Sequence, residues 1–124
     1  MTDFYQEEMI AEFKEPQNRG KIPDFNFEQK GVNASCGDDL VVFLKLSDDG
    51  LKIENVGWDG QGCVVSVTSM SVLSEKLKGK TLEEVLGWDE NNLLPFFGME
   101  ELNKAREKCF MLGLITVQKT IKNI

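Results

Sequence analysis

The sequence predicts an α+β fold, with a three-stranded antiparallel sheet, helices packed on one face, an N-terminal helix and a long C-terminal helix. Two observations predict this class. The predicted elements follow one another in the order helix, strands, then helices, and a hairpin signal joins the two clearest strands. The length of 124 residues suits one core, so we expect a single domain over residues 1–124.

The N-terminal helix is predicted over residues 3–14, where apolar residues that include Met9 and Phe13 recur at helical spacing. Glu15 and Pro16 end this helix, because a proline disfavours helical backbone in the residue before it.

The strands are predicted in the segment that follows. Residues 24–30 alternate weakly and lead into a first strand, and residues 40–46 are β-branched and aromatic. Residues 47–50 (SDDG) are a hairpin signal, and residues 51–60 alternate as the partner strand. Three residues of that partner are expected to face the core: Leu51, Ile53 and Val56.

Two further helices are predicted from periodic apolar residues, over residues 63–79 and 99–123. Gly79 suits the end of the first of them. Residues 81–84 (TLEE) form a capping box for a short helix. Residues 88–98 include several apolar residues but show no continuous helix or strand pattern. They either pack in the core or form an exposed docking patch.

Composition excludes several classes of function. The chain has no histidine, which excludes Ser-His-Asp and Cys-His catalysis and every metal motif that contains His. With 21 acidic and 14 basic residues the net charge is −7, which argues against nucleic-acid binding and suits a basic partner surface. No apolar run approaches a membrane span and the N-terminus lacks a signal-peptide pattern, so we expect a cytoplasmic protein without membrane contact.

Three cysteines are the chemically reactive residues of the chain. Cys36, Cys63 and Cys109 are separated by 27 and 46 residues, so no pair forms a Cys-x-x-Cys motif. The plainest interpretation is three small buried side chains. Cys36, however, lies among turn residues, and Asp38 two residues later can point its carboxylate to the same side. A thiolate and a carboxylate that converge form part of a metal site, although Asp38 alone equally suits an Asx turn.

Cys63 and Cys109 differ in their surroundings. Cys63 follows the segment GQG and opens the predicted helix over residues 63–79, where free N–H groups and the positive dipole end favour a thiolate. Cys109 lies on the apolar stripe of the predicted C-terminal helix, which by itself indicates a core residue. Arg106 and Lys108 lie shortly before it in the sequence and would stabilise its thiolate if their charges stay near the sulfur.

Four blocks of sequence stand out along the chain: residues 12–20 (EFKEPQNRG), 33–38 (NASCGD), 60–66 (GQGCVVS) and 106–109 (REKC). Together they resemble the IscU/NifU N-terminal family of iron–sulfur cluster assembly proteins. Residues 12–20 (EFKEPQNRG) are similar to the family's HYxNPRNxG element, with Glu12 in place of His and Gln17 in place of Arg. Residues 33–38 (NASCGD) resemble the first ligand loop, residues 60–66 (GQGCVVS) the turn of the second cysteine, and residues 106–109 (REKC) the last cysteine.

The resemblance implies a complete ligand set on one site near the surface. The implied ligands are Cys36, Asp38, Cys63 and Cys109, with Arg106 and Lys108 beside them. It also implies a transient [2Fe–2S] cluster or zinc as the bound group, and a cysteine desulfurase and apo iron–sulfur proteins as partners.

Departures from the family pattern leave two functions open. IscU-type scaffolds carry His immediately before the last cysteine, where this chain has Lys108, and the LPPVKxHC segment is missing. The Arg-x-Lys-Cys arrangement resembles SufU-type zinc-bound sulfur acceptors instead. The interval of 46 residues before Cys109, however, is too short for the SufU-type insertion.

The first hypothesis is a scaffold, in which Cys109 accepts persulfide sulfur, iron enters, and a nascent [2Fe–2S] cluster leaves for an apo-protein. The second is a zinc-dependent sulfurtransferase that accepts the same sulfur, and only this hypothesis makes the chain an enzyme. A purely structural zinc module is disfavoured, because structural sites are usually closed by Cys or His rather than by Asp.

Overall fold

The computed structural model describes residues 7–33 and 37–124. The helices are α1 (Glu7–Lys14), α2 (Val64–Leu77), α3 (Leu82–Leu86), α4 (Glu90–Leu93) and α5 (Glu107–Lys122). The strands are β1 (Phe27–Asn33), β2 (Asp38–Leu46) and β3 (Ile53–Gln61). Short 3₁₀ segments span Leu94–Phe97 and Lys104–Arg106. This arrangement confirms the predicted α+β class with its three strands and its helices at both ends.

The sheet is antiparallel in the order β1-β2-β3. Asn33, the last residue of β1, pairs with Asp38, and Asp39 pairs with Gln61, the last residue of β3. The end of β1, the start of β2 and the end of β3 therefore lie together at one end of the sheet. The chain leaves β3 at this end and enters α2.

The core lies between the sheet and the pair of helices α2 and α5. Leu40, Val42 and Leu44 alternate along β2 and are fully buried on the face that these helices cover. Helix α2 is buried on almost every side, because α1 and α5 also pack against it. Its small polar residues therefore need partners inside the protein, and the Ser69 hydroxyl, for example, donates to the Phe110 carbonyl at 2.7 Å.

The segment that resembles the family's first block docks on α2 and β3. The Gln17 amide donates to Ser71 Oγ at 2.7 Å, and the indole N–H of the fully buried Trp58 donates to the Gln17 carbonyl at 2.8 Å. Glu12 and Gln17, which stand in place of the family element's His and Arg, are hydrogen-bonded to each other at 2.8 Å. The two replacements thus form a matched acceptor and donor. The side-chain amide of Asn18, which donates to Glu75, holds the pKa of that carboxyl below its usual range.

The C-terminal helix begins later than the sequence pattern predicts. It starts at Glu107 rather than at Met99, and residues 99–103 are not helical. Asn103 has extended backbone and its side chain accepts the Ala105 N–H, so it caps the short 3₁₀ segment before α5. The prediction was wrong over residues 99–103, where Met99 is buried in the core without belonging to a helix.

The hairpin between β2 and β3 forms where it is predicted, with the Gly50 N–H donating to the Ser47 carbonyl at 2.8 Å. Leu51, however, is 63% exposed and precedes β3, so its predicted inward orientation was wrong. The predicted inward orientation of Ile53 and Val56 is confirmed, and the ladder's register shift between Lys45 and Leu46 lets both face the core although they are three residues apart.

The broken apolar segment over residues 88–98 packs mainly in the core, since Leu93, Leu94 and Phe97 are buried. Helix α2 ends at Leu77, two residues before Gly79, which has the left-handed backbone that commonly follows a helix. Among residues 7–33 and 37–124, no helix combines the length and apolar composition needed to cross a bilayer.

Candidate metal centre

Three elements bring a carboxylate and two thiols to one point. Asp38 is the first residue of β2, Cys63 immediately precedes α2, and Cys109 is the third residue of α5. The ligand atoms that these three side chains offer lie within 4.8 Å of one another. The structure thus brings together three of the residues that the sequence singled out, although 25 and 46 residues separate consecutive members of the set.

Asp38 is fully buried, and both of its oxygens have donors. Oδ1 accepts the Cys63 backbone N–H at 2.9 Å and the Ser66 hydroxyl at 3.0 Å. Oδ2 accepts one longer hydrogen bond, from Asn33 Nδ2 at 3.4 Å. A carboxylate oxygen has about two lone-pair directions, so the described residues supply a donor for both directions of Oδ1 and for one direction of Oδ2, which leaves the other open to a cation.

Cys63 occupies the N-cap position of α2 in extended backbone, φ −73° and ψ 171°, and is half-buried. The predicted location of Cys63 at a helix N-terminus is therefore confirmed. Its side chain does not cap the helix, and its thiol instead lies 3.7 Å from Ser66 Oγ.

Cys109 is buried, with 4% exposure, in the first turn of α5. The sequence pattern places Cys109 in the middle of a longer helix, whereas the structure places it near the start of α5. Asn33 Nδ2 lies 3.6 Å from Cys109 Sγ as well as 3.4 Å from Asp38 Oδ2, so a single amide faces both ligand atoms. Since α2 and α5 both begin at the site, the positive ends of two helix dipoles lie beside the ligands.

The remaining predicted site residues lie outside the cluster of three or beyond the described chain. Cys36 falls on residues 34–36, which are not among the described residues, and its role stays a prediction. Lys108 is exposed and Arg106 is half-buried, at and just before the start of α5. Their effect on the thiol of Cys109 stays a prediction as well.

The donor set suits a thiophilic metal ion. A tetrahedral zinc site with Zn–S bonds of about 2.3 Å places its sulfur atoms about 3.8 Å apart. The ligand atoms here lie within 4.8 Å, so a shift of about 1 Å or less would bring them to bonding distance. Iron–sulfur clusters are likewise held by Cys thiolates, so the same thiols suit either group.

Asn33 and Ser66 contact the ligands but were not singled out from the sequence. Ser66 lies three residues after Cys63, a spacing that places two helical side chains on the same side. That spacing was the available signal for Ser66. The contact of Asn33 with Cys109 has no local signal, because it joins residues 76 positions apart.

Comparison with known proteins gives a family match over almost the whole chain. The model of the family described as "NifU-like N terminal domain" matches residues 4–124. The iron–sulfur cluster assembly scaffold protein IscU of Thermotoga maritima is 30% identical over 135 aligned residues, which cover 97% of this chain and 94% of that protein. The zinc-dependent sulfurtransferase SufU of Bacillus subtilis is 32% identical over 86 residues, 69% of this chain and 56% of that protein.

Solved structures share the fold. A crystal structure from Fervidobacterium islandicum AW-1, of a candidate iron–sulfur cluster assembly scaffold protein for the SUF system, superposes with a TM-score of 0.78 at 28% identity. The alignment covers 95% of this chain and 96% of that chain. A NifU-like N-terminal structure from Brucella abortus, at 18% identity and a TM-score of 0.77, shows the same fold.

Proposed function

The chain belongs to the NifU-like N-terminal domain family, and we propose that it is an iron–sulfur cluster assembly scaffold. The observation that carries this proposal is the convergence of Asp38, Cys63 and Cys109 within 4.8 Å at the start of two helices. The similarity to the Thermotoga maritima scaffold over 97% of this chain supports it.

The cargo of such a scaffold is a [2Fe–2S] cluster, for which thiolates are the usual ligands. We propose Cys36 as the further thiolate ligand beside Cys63 and Cys109. Cys36 is two residues before Asp38, so chain connectivity alone keeps their Cα atoms within about 7.6 Å of each other. Asp38 completes the set as the weaker ligand, because a hard carboxylate binds sulfide-bridged iron less firmly than a thiolate does.

Sulfur delivery by a cysteine desulfurase requires one thiolate of the chain to attack the desulfurase persulfide. The outer sulfur forms a bond to the accepting thiolate while the S–S bond to the desulfurase breaks, and the desulfurase cysteine leaves as a thiolate. We propose Cys109 as the acceptor, because Arg106 and Lys108 place two cations next to it in the sequence. Its 4% exposure means that acceptance requires a local opening at the start of α5.

A second candidate function is zinc-dependent sulfur transfer from the same desulfurase. It is favoured by the Arg-x-Lys-Cys arrangement at residues 106–109 and by the 32% identity to the Bacillus subtilis sulfurtransferase. Cys36, Asp38, Cys63 and Cys109 would hold the zinc ion. Bound zinc would keep the thiols deprotonated.

Cluster transfer tests the proposal. After anaerobic reconstitution with a cysteine desulfurase, the chain is mixed with an apo-ferredoxin, and the ferredoxin's visible circular dichroism is followed. A scaffold fills the ferredoxin faster than the same iron and sulfide in free solution, and a Cys63→Ser variant does not. If the chain gives no acceleration but raises desulfurase turnover when loaded with zinc, the second function is correct.

A further inference from the structure

We propose that Ser66 is a positioning residue that orients the Asp38 carboxylate for metal binding. This inference rests on the proposed function, because it takes Asp38 as a ligand. Ser66 is 1% exposed in the first turn of α2, and its hydroxyl lies 3.0 Å from Asp38 Oδ1. It is the side-chain partner of the oxygen that also accepts the Cys63 N–H at 2.9 Å.

Two donors on one oxygen fix the rotation of the carboxylate. With both donors in place, Oδ1 is held against the start of α2, and Oδ2 is the oxygen that faces the amide shared with Cys109. If the Ser66 hydroxyl is removed, the described residues hold the carboxylate through the Cys63 N–H on Oδ1 and the longer contact of Asn33 with Oδ2. The side chain can then turn more freely about its terminal torsion, which is broad for aspartate, and the geometry of the ligand atom is less well defined.

The Ser66 hydroxyl has a second possible acceptor, the Cys63 carbonyl. The hydroxyl carries one proton and lies 3.1 Å from the Cys63 carbonyl as well as 3.0 Å from Asp38 Oδ1, so it can donate to only one of them at a time. A hydrogen bond to a carboxylate is stronger than one to a neutral carbonyl, so the hydroxyl donates to Asp38. The hydroxyl oxygen then faces the Cys63 thiol at 3.7 Å and contacts both ligands.

Gly62 provides the space in which this contact forms. A Cβ atom on Gly62 would lie 2.7 Å from Asp38 Oδ1 and closer still to Ser66 Oγ. Any side chain at this position would therefore displace the hydroxyl and the carboxylate together. The glycine before the second cysteine thus serves the approach of Ser66 to Asp38.

The test measures Co²⁺ affinity of the purified metal-free chain by competition with a chromophoric chelator. Ser66→Ala is expected to weaken Co²⁺ binding about tenfold, the usual effect of removing a group that orients a ligand. Ser69→Ala is the matched control, since Ser69 is a buried serine of the same helix that donates to the Phe110 carbonyl. It should leave Co²⁺ affinity unchanged.

A double-mutant cycle separates positioning from a general structural effect. In an Asp38→Ala background, Ser66→Ala should change Co²⁺ affinity by less than about twofold, because the group it orients is gone. Should Ser66→Ala fail to fold, Ser66→Thr and Ser66→Val replace it. They share a shape and differ in the hydroxyl, and only the valine variant should bind Co²⁺ weakly.

Three outcomes would overturn the inference. One is equal Co²⁺ affinity with and without the hydroxyl, and another is the same loss in the Asp38→Ala background as in the wild type. Either outcome would leave the proposed function intact as long as the wild-type chain itself binds Co²⁺. A wild-type chain that binds no Co²⁺ overturns the inference and counts against the proposed metal centre as well.

Discussion

At the scale of single residues, Asp38 has the most unusual position, because it is a fully buried carboxylate among thiols. A buried charge is costly unless it is paired or hydrogen-bonded. Here the Cys63 N–H, the Ser66 hydroxyl and the Asn33 amide all point to it. Three donors thus hold the carboxylate in place, and in the scaffold that we propose, Asp38 would be the weak iron ligand of a site that releases its cargo.

Replacing Asp38 by a stronger ligand should slow that release. In an Asp38→Cys variant the thiolate binds sulfide-bridged iron more firmly than the carboxylate does. We expect the reconstituted cluster to persist several-fold longer against a chelator, as measured by the decay of visible absorption. The unfolding temperature of the metal-free variant serves as the control for folding, and faster cluster loss from a folded variant would contradict the role of Asp38.

Local patterns in the sequence pointed to Cys63, and in part to Asp38, as ligands, whereas Cys109 by its local pattern was a core residue and became a predicted ligand only through the family resemblance. Local patterns were not sufficient for Asn33 and Ser66. Beside their contacts with near neighbours, Ser66 meets Asp38 and Asn33 meets Cys109, and these two long-range contacts have no trace in local patterning. Cys36 lies outside the described residues, so its role as a ligand stays a prediction from its motif.

At the scale of elements, periodicity predicted the existence of the helices better than their limits. Residues 99–106 continue the apolar spacing of α5, yet Asn103 caps a separate 3₁₀ segment. Periodicity counts apolar residues that are buried for any reason, and Met99 is buried from a non-helical segment. This boundary matters for the site, since it moves Cys109 from mid-helix to the first turn.

The β2–β3 ladder beside the site depends on a glycine. Gly60 has a φ of +124°, and a Cβ there would overlap the carbonyl oxygen of Asp39 in the neighbouring strand. Gly60→Ala should lower the free energy of unfolding by about 3 kcal/mol, because it combines backbone strain with displacement of a paired strand.

Gly50→Ala is the matched control. Gly50 also has a positive φ, of 74°, but a Cβ added there would have no neighbouring atom within 4 Å, so only the backbone strain of about 1 kcal/mol applies. Both values come from urea unfolding followed by circular dichroism. Equal losses for the two variants would show that the contact with Asp39 contributes nothing.

At the scale of the whole molecule, the site exists because three distant parts of the chain meet at one end of the sheet. The order of elements predicted the α+β class, and antiparallel pairing then brings the start of β2 beside the ends of its neighbours. The packing of α2 and α5 on one face, which sets Cys63 next to Cys109, follows from tertiary contacts that no local pattern encodes. The net charge of −7 adds an expectation of a basic partner surface.

The central claim is that this centre assembles an iron–sulfur cluster. The most direct measurement is the iron, sulfide and zinc content of the chain, with its absorption spectrum, after anaerobic reconstitution with a cysteine desulfurase, cysteine and ferrous iron. We predict equal amounts of bound iron and sulfide with a visible charge-transfer band, lost in Cys63→Ser and Cys109→Ser and retained in Ser69→Ala. A colourless chain that holds zinc without sulfide, or an unchanged chromophore in both cysteine variants, would contradict the claim.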